Sequence, residues 1–244
     1  MNLIIDIGNT QVKTAVFDTD NKLIDLQKNT FNKILEVIEH QVDKFAVTYA
    51  IVSKVGKEIE GLESFFEAQA IPLFFLTAHC KLPFSLQYKT PETIGADRLA
   101  LVAGALLYRQ NQNMLIIDAG TCVTYDFIDK NNVYHGGAIS PGLFLRYKSL
   151  NDYTANLPLL KPENKTVELI GDSTQSSIQS GVIYGLVAEI EAIIVKYNLK
   201  FKDLTVFLTG GDKKLLDSYI KNKIFVNSNF LLPEGMNYIL NLNK

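Results

Sequence analysis

Two apolar runs of the same shape divide the chain. Residues 3–8 read Leu-Ile-Ile-Asp-Ile-Gly and residues 115–120 read Leu-Ile-Ile-Asp-Ala-Gly. Small hydroxyl, amide or thiol residues follow each glycine: Asn9-Thr10 in the first copy, Thr121-Cys122 in the second. With a one-residue gap, residues 12–18 then align with residues 123–129. The pattern predicts strand, tight polar turn, strand, in both places. Turn residues at Asp20-Asn21 and at Lys130-Asn131-Asn132 precede a third strand in each copy, over 23–26 and 133–135. The offset from Asp6 to Asp118 is 112 residues. That period is too long for a solenoid and predicts two domains of one architecture.

The remaining pattern fills in those domains. Phe31, Ile34, Leu35 and Ile38 predict a helix over 31–41, and Leu99, Val102, Ala103, Leu106 and Leu107 another over 94–108. Thr90-Pro91 is a suitable entry to the second, with a cap residue and a proline at the first helical position. Ile178, Val182, Leu186, Ile190 and Ile194 predict the longest helix, over 173–198. Strands are expected over 45–53, 73–76 and 205–208, and a short helix over 213–220. Residues 150–167 carry two prolines and little periodicity, so a mobile loop is expected there. Strands lead and helices follow in each half, which points to an α/β or α+β class; the two-domain repeat is read as α/β. The polar run at 110–113 sets the boundary, giving domains 1–112 and 113–244.

Composition narrows the partners. The chain has 244 residues, 47% of them hydrophobic, enough for a substantial core. Its net charge of −2 excludes a strongly basic nucleic-acid footprint. The first residues carry no basic segment or long apolar run, and apolar stretches reach about half a membrane span. Cys80 and Cys122 form no CxxC pair, and His40, His79 and His135 lack metal-ligand spacing. The expectation is a soluble cytoplasmic protein without nucleic-acid or membrane partners, its thiols behaving as small hydrophobes. The Lys-containing tail reads as solvated surface.

The hairpins carry the chemistry. A carboxylate ending a buried strand is costly unless a cation offsets it. Gly8 lets backbone approach a ligand, Asn9 and Thr10 offer donors, and successive turn N–H groups make an anion nest. Lys13 returns on the next strand as a point charge for phosphate. The second copy has no lysine; Asp118, Thr121 and Thr124 supply a carboxylate and hydroxyls. An ordinary hairpin would explain one copy, but recurrence after the same apolar run points to paired polyphosphate clamps. Neither a G-x-x-x-x-G-K-[ST] loop nor a G-x-G-x-x-G fingerprint is present.

The paired hairpins and the late Thr209-Gly210-Gly211 resemble the actin, hexokinase and acetate kinase superfamily. More specifically, four segments occur in order: Asp6-x-Gly8-Asn9-Thr10-x-x-Lys13; Tyr88-Lys89-Thr90-Pro91 through Gly95-Ala96-Asp97-Arg98; Asp118-x-Gly120-Thr121; and Gly136-Gly137-x-Ile139-x-Pro141-Gly142. This series resembles type III pantothenate kinase over nearly the whole chain. The resemblance implies two ribonuclease-H-like (actin-like ATPase) domains around a central interdomain cleft. It also implies transfer of the ATP γ-phosphoryl group to pantothenate, the first step of coenzyme A synthesis.

The resemblance assigns roles residue by residue. Asp97 is the implied base, acting mainly by orienting the hydroxyl, because a helix N-terminus favours its ionised form. Tyr88, Gly95, Ala96, Asp97 and Arg98 would line the pantothenate site, with the Arg98 fork on a carboxylate or phosphate. A threonine equivalent to Thr174 reaches the partner subunit's pantothenate site, although a helix-capping role would explain it as well. Asp6, Gly8, Asn9, Thr10, Lys13, Thr121, Gly210 and Gly211 would hold ATP. Asp6 would serve Mg²⁺ through water, and Asp118 a monovalent cation, K⁺ or NH₄⁺. Ser177, Gly181 and Gly185 recur every four residues and permit close helix approach, so a two-fold homodimer is expected, with packing inside one domain as the competing explanation of the row. Rival readings are another small-molecule kinase of the superfamily and a nucleotide-binding regulator without kinase activity.

Overall fold

The computed structural model describes residues 1–162, 166–221, 226–227 and 230–244. Residues 163–165, within the expected loop at 150–167, lie outside the described residues. The chain divides into two compact units. One comprises Met1–Gln110, Asn132–Tyr134 and Phe230–Lys244; the other comprises Asn111–Asn131 and His135–Asn229. The chain thus departs from a simple division at 112/113, because its final segment returns to the first unit.

The first unit begins with β1 (Asn2–Ile7), β2 (Val12–Phe17) and β3 (Leu23–Asn29). Then come α1 (Ile34–Phe45), β4 (Tyr49–Lys54), α2 (Leu62–Ala68), β5 (Leu73–Phe75), β6 (Ser85–Leu86) and α3 (Ala96–Tyr108). Its sheet has the order β3-β2-β1-β4-β5. β1 and β2 are antiparallel with Asp6 opposite Lys13, while β1 and β4 run parallel with Asp6 opposite Ser53. Every residue of β1 is buried, as expected of a strand covered on both faces. On one face Leu3, Ile5, Ile7, Val12 and Val16 pack against Ile34, Ile38 and Val42 of α1.

The second unit holds β7 (Asn113–Ala119), β8 (Cys122–Ile128), most of β9 (Val133–Pro141), α4 (Leu143–Asp152), α5 (Thr174–Lys200), β10 (Leu204–Thr209), α6 (Lys213–Asp217) and β11 (Val226–Asn227). The sheet runs β11-β10-β7-β8-β9-β6, and its first five strands repeat the order of the first sheet when each is matched to its repeat. Register repeats too. Asp118 lies opposite Thr124 on antiparallel β8 and opposite Thr209 on parallel β10. Lys13 and Thr124 are therefore equivalent positions, as are Ser53 and Thr209. The core joins Leu115, Ile117, Val123 and Tyr125 to Ile178, Val182, Leu186 and Ile190 of α5. By length and composition α5 is apolar enough to cross a membrane, contrary to the half-span expectation. Its buried row shows the service of that apolarity: it covers the sheet.

The last helix, α7 (Leu231–Asn243), corrects the reading of the tail as solvated surface. It packs on α3 through two glycines. A Cβ at Gly104 would overlap the Leu231 carbonyl, and one at Gly235 would overlap the Ala100 carbonyl. Only hydrogen side chains allow this backbone approach. Asn2 Nδ2 also donates to Asn237 Oδ1 at 2.6 Å, tying β1 to α7.

Several boundaries differ from expectation. Phe31–Lys33 is a 3₁₀ turn, and α1 continues to Phe45 before Ala46 turns left-handed at φ 46°. The following strand accordingly starts at Tyr49, not at 45. Pro91–Thr93 forms a separate 3₁₀ turn, and extended Ile94 delays α3 to Ala96. α4 occupies the beginning of the expected loop, ending at Asp152.

Candidate active site

The first hairpin gathers three charged side chains of the first unit. Asp6 is 6% exposed at the end of β1, and its carboxylate lies 3.6 Å from Lys13 Nζ. Burial raises the Asp6 pKa above the ordinary carboxylate range. Lys13 opposes that shift, the nearby Asp97 carboxylate adds to it, and the Ser53 hydroxyl favours the ionised form. Beyond the strand, Gly8, half-buried, donates its N–H to the Gln11 carbonyl at 3.2 Å, closing the turn. Asn9 and Thr10 stand exposed at its tip.

Asp97 is in the first turn of α3. Its Oδ1 accepts the Arg98 N–H at 2.8 Å, and the carboxylate folds back over Gly95. A Cβ at Gly95 would sit 2.5 Å from Asp97 Oδ1, so glycine at the cap gives the carboxylate its place. Burial raises the Asp97 pKa. The Arg98 N–H, the Arg98 charge and Lys13 oppose it without cancelling it. The sequence expectation, in which the helix terminus left Asp97 a weak base, did not include this desolvation, which raises its pKa. Arg98 is 5% exposed and Ala96 6%, both on the buried side of the helix start. Tyr88, half-buried, stacks on fully buried Tyr134 with centroids 6.2 Å apart.

The second hairpin is built alike but equipped differently. Asp118 is half-buried and has no lysine opposite. Thr124, its cross-strand neighbour, is 8% exposed, and its hydroxyl has no hydrogen-bond partner among the described residues. Thr121 is exposed at the turn and Gly120 donates to the Cys122 carbonyl at 3.0 Å. Gly210 takes φ +100°, and a Cβ there would overlap Ala119. Gly211 has no atom within 4 Å of a would-be Cβ. The turn therefore requires Gly210 but leaves Gly211 unexplained by the fold, open to an approaching ligand. Thr174 opens α5, yet the cap is Ser173, which forms a capping box with Ser176. The capping explanation for Thr174 is thereby removed, and its side chain is exposed.

Gly56 was not apparent as a site residue. The Val55 and Gly56 N–H groups donate to the Ile7 carbonyl at 3.1 and 3.0 Å, and a Cβ at Gly56 would overlap the Gly8 carbonyl. Asp212 N–H donates to Ala119 O at 3.0 Å in the second unit. The carbonyl after each hairpin aspartate is thus clasped by the loop after the neighbouring parallel strand. The signal is visible only once strand order is known.

The donor sets suit hard cations. Asp6 is already offset by Lys13, so it fits a hydrated Mg²⁺ contacted through water better than a direct ligand. Asp118 and the unpartnered Thr124 hydroxyl are oxygen donors of the kind a monovalent cation takes. Among the described residues no group of three or more His, Cys, Asp or Glu could hold a metal.

Two sheets of matching order, each ending a central strand in Asp-x-Gly, define an actin/hexokinase-like ATPase fold. Solved structures show the same fold. A Campylobacter jejuni protein described as a Baf family transcriptional activator aligns with a TM-score of 0.63 at 21% identity, covering 98% of this chain and 97% of that one. A glucokinase from an Antarctic psychrotroph aligns with a TM-score of 0.54 at 12% identity, covering 98% of each chain. The family profile described as Type III pantothenate kinase matches residues 2–196. A protein of that name from Christiangramia forsetii is 49% identical over 100% of this chain and 99% of its own. Another, from Flavobacterium johnsoniae, is 46% identical over 95% of this chain and 94% of its own. The chain belongs to the type III pantothenate kinase family.

Proposed function

We propose that this protein transfers the γ-phosphoryl group of ATP to the terminal hydroxyl of pantothenate, opening coenzyme A biosynthesis. The observation that carries the reading is the grouping of Asp6, Lys13 and Asp97, one cation with a buried and a half-buried carboxylate, both of raised pKa. Phosphoryl transfer asks chiefly for positioning and charge neutralisation, with a group to orient or deprotonate the nucleophile. Lys13 neutralises phosphate charge. The exposed tip at Asn9 and Thr10 holds phosphate oxygens, with Gly8 shaping the turn beneath it, as Thr121 does in the second unit. Asp97, its pKa raised toward the working range, accepts the hydroxyl proton. Arg98 and Tyr88, with the Gly95–Ala96 backbone, position the acceptor. Gly210 and Gly211 admit the adenosine.

Asp6 would hold Mg²⁺ through water, and the ion would supply charge neutralisation at the phosphates. Asp118, with Thr124 opposite it, would hold K⁺ or NH₄⁺. The repeat supports a boundary at 112/113 between the two domains, with α7 returning to the first unit.

The working form is a homodimer in the cytoplasm, independent of nucleic acid and membrane. Ser177, Gly181 and Gly185 form an exposed row on α5, and nothing lies within 4 Å of a Cβ built at either glycine. Each costs about 1 kcal/mol relative to alanine in a helix. Packing within the described chain does not use that row, and a second copy would. Exposed Thr174 at the same helix start would then reach the partner's acceptor site.

A coupled ADP-release assay tests the reaction. Turnover should require pantothenate, MgATP and potassium together. Turnover with a sugar but not pantothenate, or nucleotide binding without turnover, would favour the rival kinase or regulator.

A further inference from the structure

A hydrogen-bonded group in the second unit is used by none of the roles above. Glu189, midway along α5, accepts from Tyr125 Oη at 2.9 Å, from Ser140 Oγ at 3.1 Å and from Arg146 Nη2 at 2.5 Å. Arg146, on α4, also donates Nη2 to Ser140 Oγ at 3.0 Å and Nε to the Pro141 carbonyl at 2.9 Å. The group thus fastens β8, the end of β9, α4 and α5 at one point. The three donors hold Glu189 below its ordinary carboxylate range despite its partial burial.

Its reach extends one residue further. Next to Pro141, Gly142 donates its N–H to the Thr121 carbonyl at 3.1 Å. A Cβ at Gly142 would overlap the Gly120 carbonyl and lie 2.6 Å from the Thr121 carbonyl. The strand end gripped by Arg146 is therefore pressed directly against the turn of the second hairpin. For stability alone an ion pair of this kind could be replaced by well-packed apolar side chains with little loss. Fixing a backbone segment at a set distance from the turn is a use that apolar side chains would serve less well.

We propose that Arg146 and Glu189, bridged by Ser140, are positioning residues that set the Gly120–Thr121 turn through Pro141 and Gly142. They govern the grip on the ATP phosphates and leave the acceptor site alone. The inference rests on the reading that this hairpin holds the nucleotide.

The test measures KM for ATP and for pantothenate, ADP affinity by calorimetry, and thermal stability in the full-length protein. The variants are Arg146→Lys, Glu189→Gln, their combination, and Ser140→Ala. Arg146→Lys and Glu189→Gln should each raise KM for ATP and Kd for ADP about tenfold, with KM for pantothenate unchanged within about twofold. The double variant should be no worse than the poorer single one, because the two residues act as a unit. Equal changes in both KM values, or a lower Tm with both unchanged, would overturn the proposal. Should the charged variants fail to fold, Ser140→Ala decides the matter by the same split, since it removes only the bridging hydroxyl. A wild-type protein that binds ADP but does not turn over pantothenate would sink the functional reading. Unaltered ADP affinity in the variants would sink the positioning role.

Discussion

The two hairpins share a backbone and differ in what stands across from the aspartate. In the first, buried Asp6 faces Lys13 and neighbours Asp97, so the charges are settled largely within the protein. In the second, half-buried Asp118 faces a neutral threonine, and the turn is gripped from outside by Gly142 and Gly210. The two hairpins share the element that fixes geometry, Asp-x-Gly on a central strand. The cross-strand residue differs, and with it the chemistry. The first hairpin sets a lysine across from its aspartate, whereas the second sets a neutral threonine there.

Exchanging that residue should produce the largest effect within the hairpins. Lys13→Ala should lower kcat/KM for ATP about 100-fold, comparable to losing one preorganised electrostatic donor. Thr124→Ala should cost only a few-fold and should shift the potassium dependence of the rate. Steady-state kinetics across a potassium series checks both. Equal losses in the two variants would break the distinction between the hairpins.

The glycines sharpen the comparison at the level of stability. Gly142→Ala and Gly104→Ala place a methyl group on backbone carbonyls and should destabilise by about 1–3 kcal/mol or more. Gly211→Ala meets nothing and should leave Tm unchanged while raising KM for ATP. Thermal melts with nucleotide titrations separate the two classes.

A pH effect of opposite sign to activity follows from burial of Asp97. A carboxyl raised in the folded state supports stability below the unfolded value, about 3.9. That support is lost as pH rises through the higher folded value. Asp97→Asn should therefore melt above wild type near pH 7, with the difference closing toward about pH 4. A variant that melts lower at neutral pH would contradict the desolvation account. The smallest effects are expected on α5. Gly181→Ala and Gly185→Ala should each add about 1 kcal/mol of helix stability while weakening self-association, read by melts and sedimentation over a concentration series.

The repeat was legible because alternation and spacing recur in the sequence itself, and the registers of Asp6 with Lys13 and Asp118 with Thr124 follow the alignment. Helix α3, the long α5 and the placement of Asp97 and Arg98 at a helix start were legible for the same reason: local periodicity reports local structure. What escaped is tertiary. α7 is held by its glycine crossing with α3, a contact between residues more than a hundred positions apart, so composition misread it as surface. Gly56 and the Arg146–Glu189 pair carry no local signature, since their meaning arises only when strands and helices are side by side. The Asp97 pKa was misjudged because sequence shows the helix dipole but not the burial that opposes it.

The central claim is that half-buried Asp97 handles the acceptor proton of pantothenate phosphorylation. Its most direct test is pantothenate-dependent ADP release by wild type and Asp97→Asn, with MgATP and potassium saturating. The account predicts turnover in wild type and a fall of about 100-fold or more in kcat for the variant, with ADP affinity intact. Undiminished kcat in Asp97→Asn would contradict it.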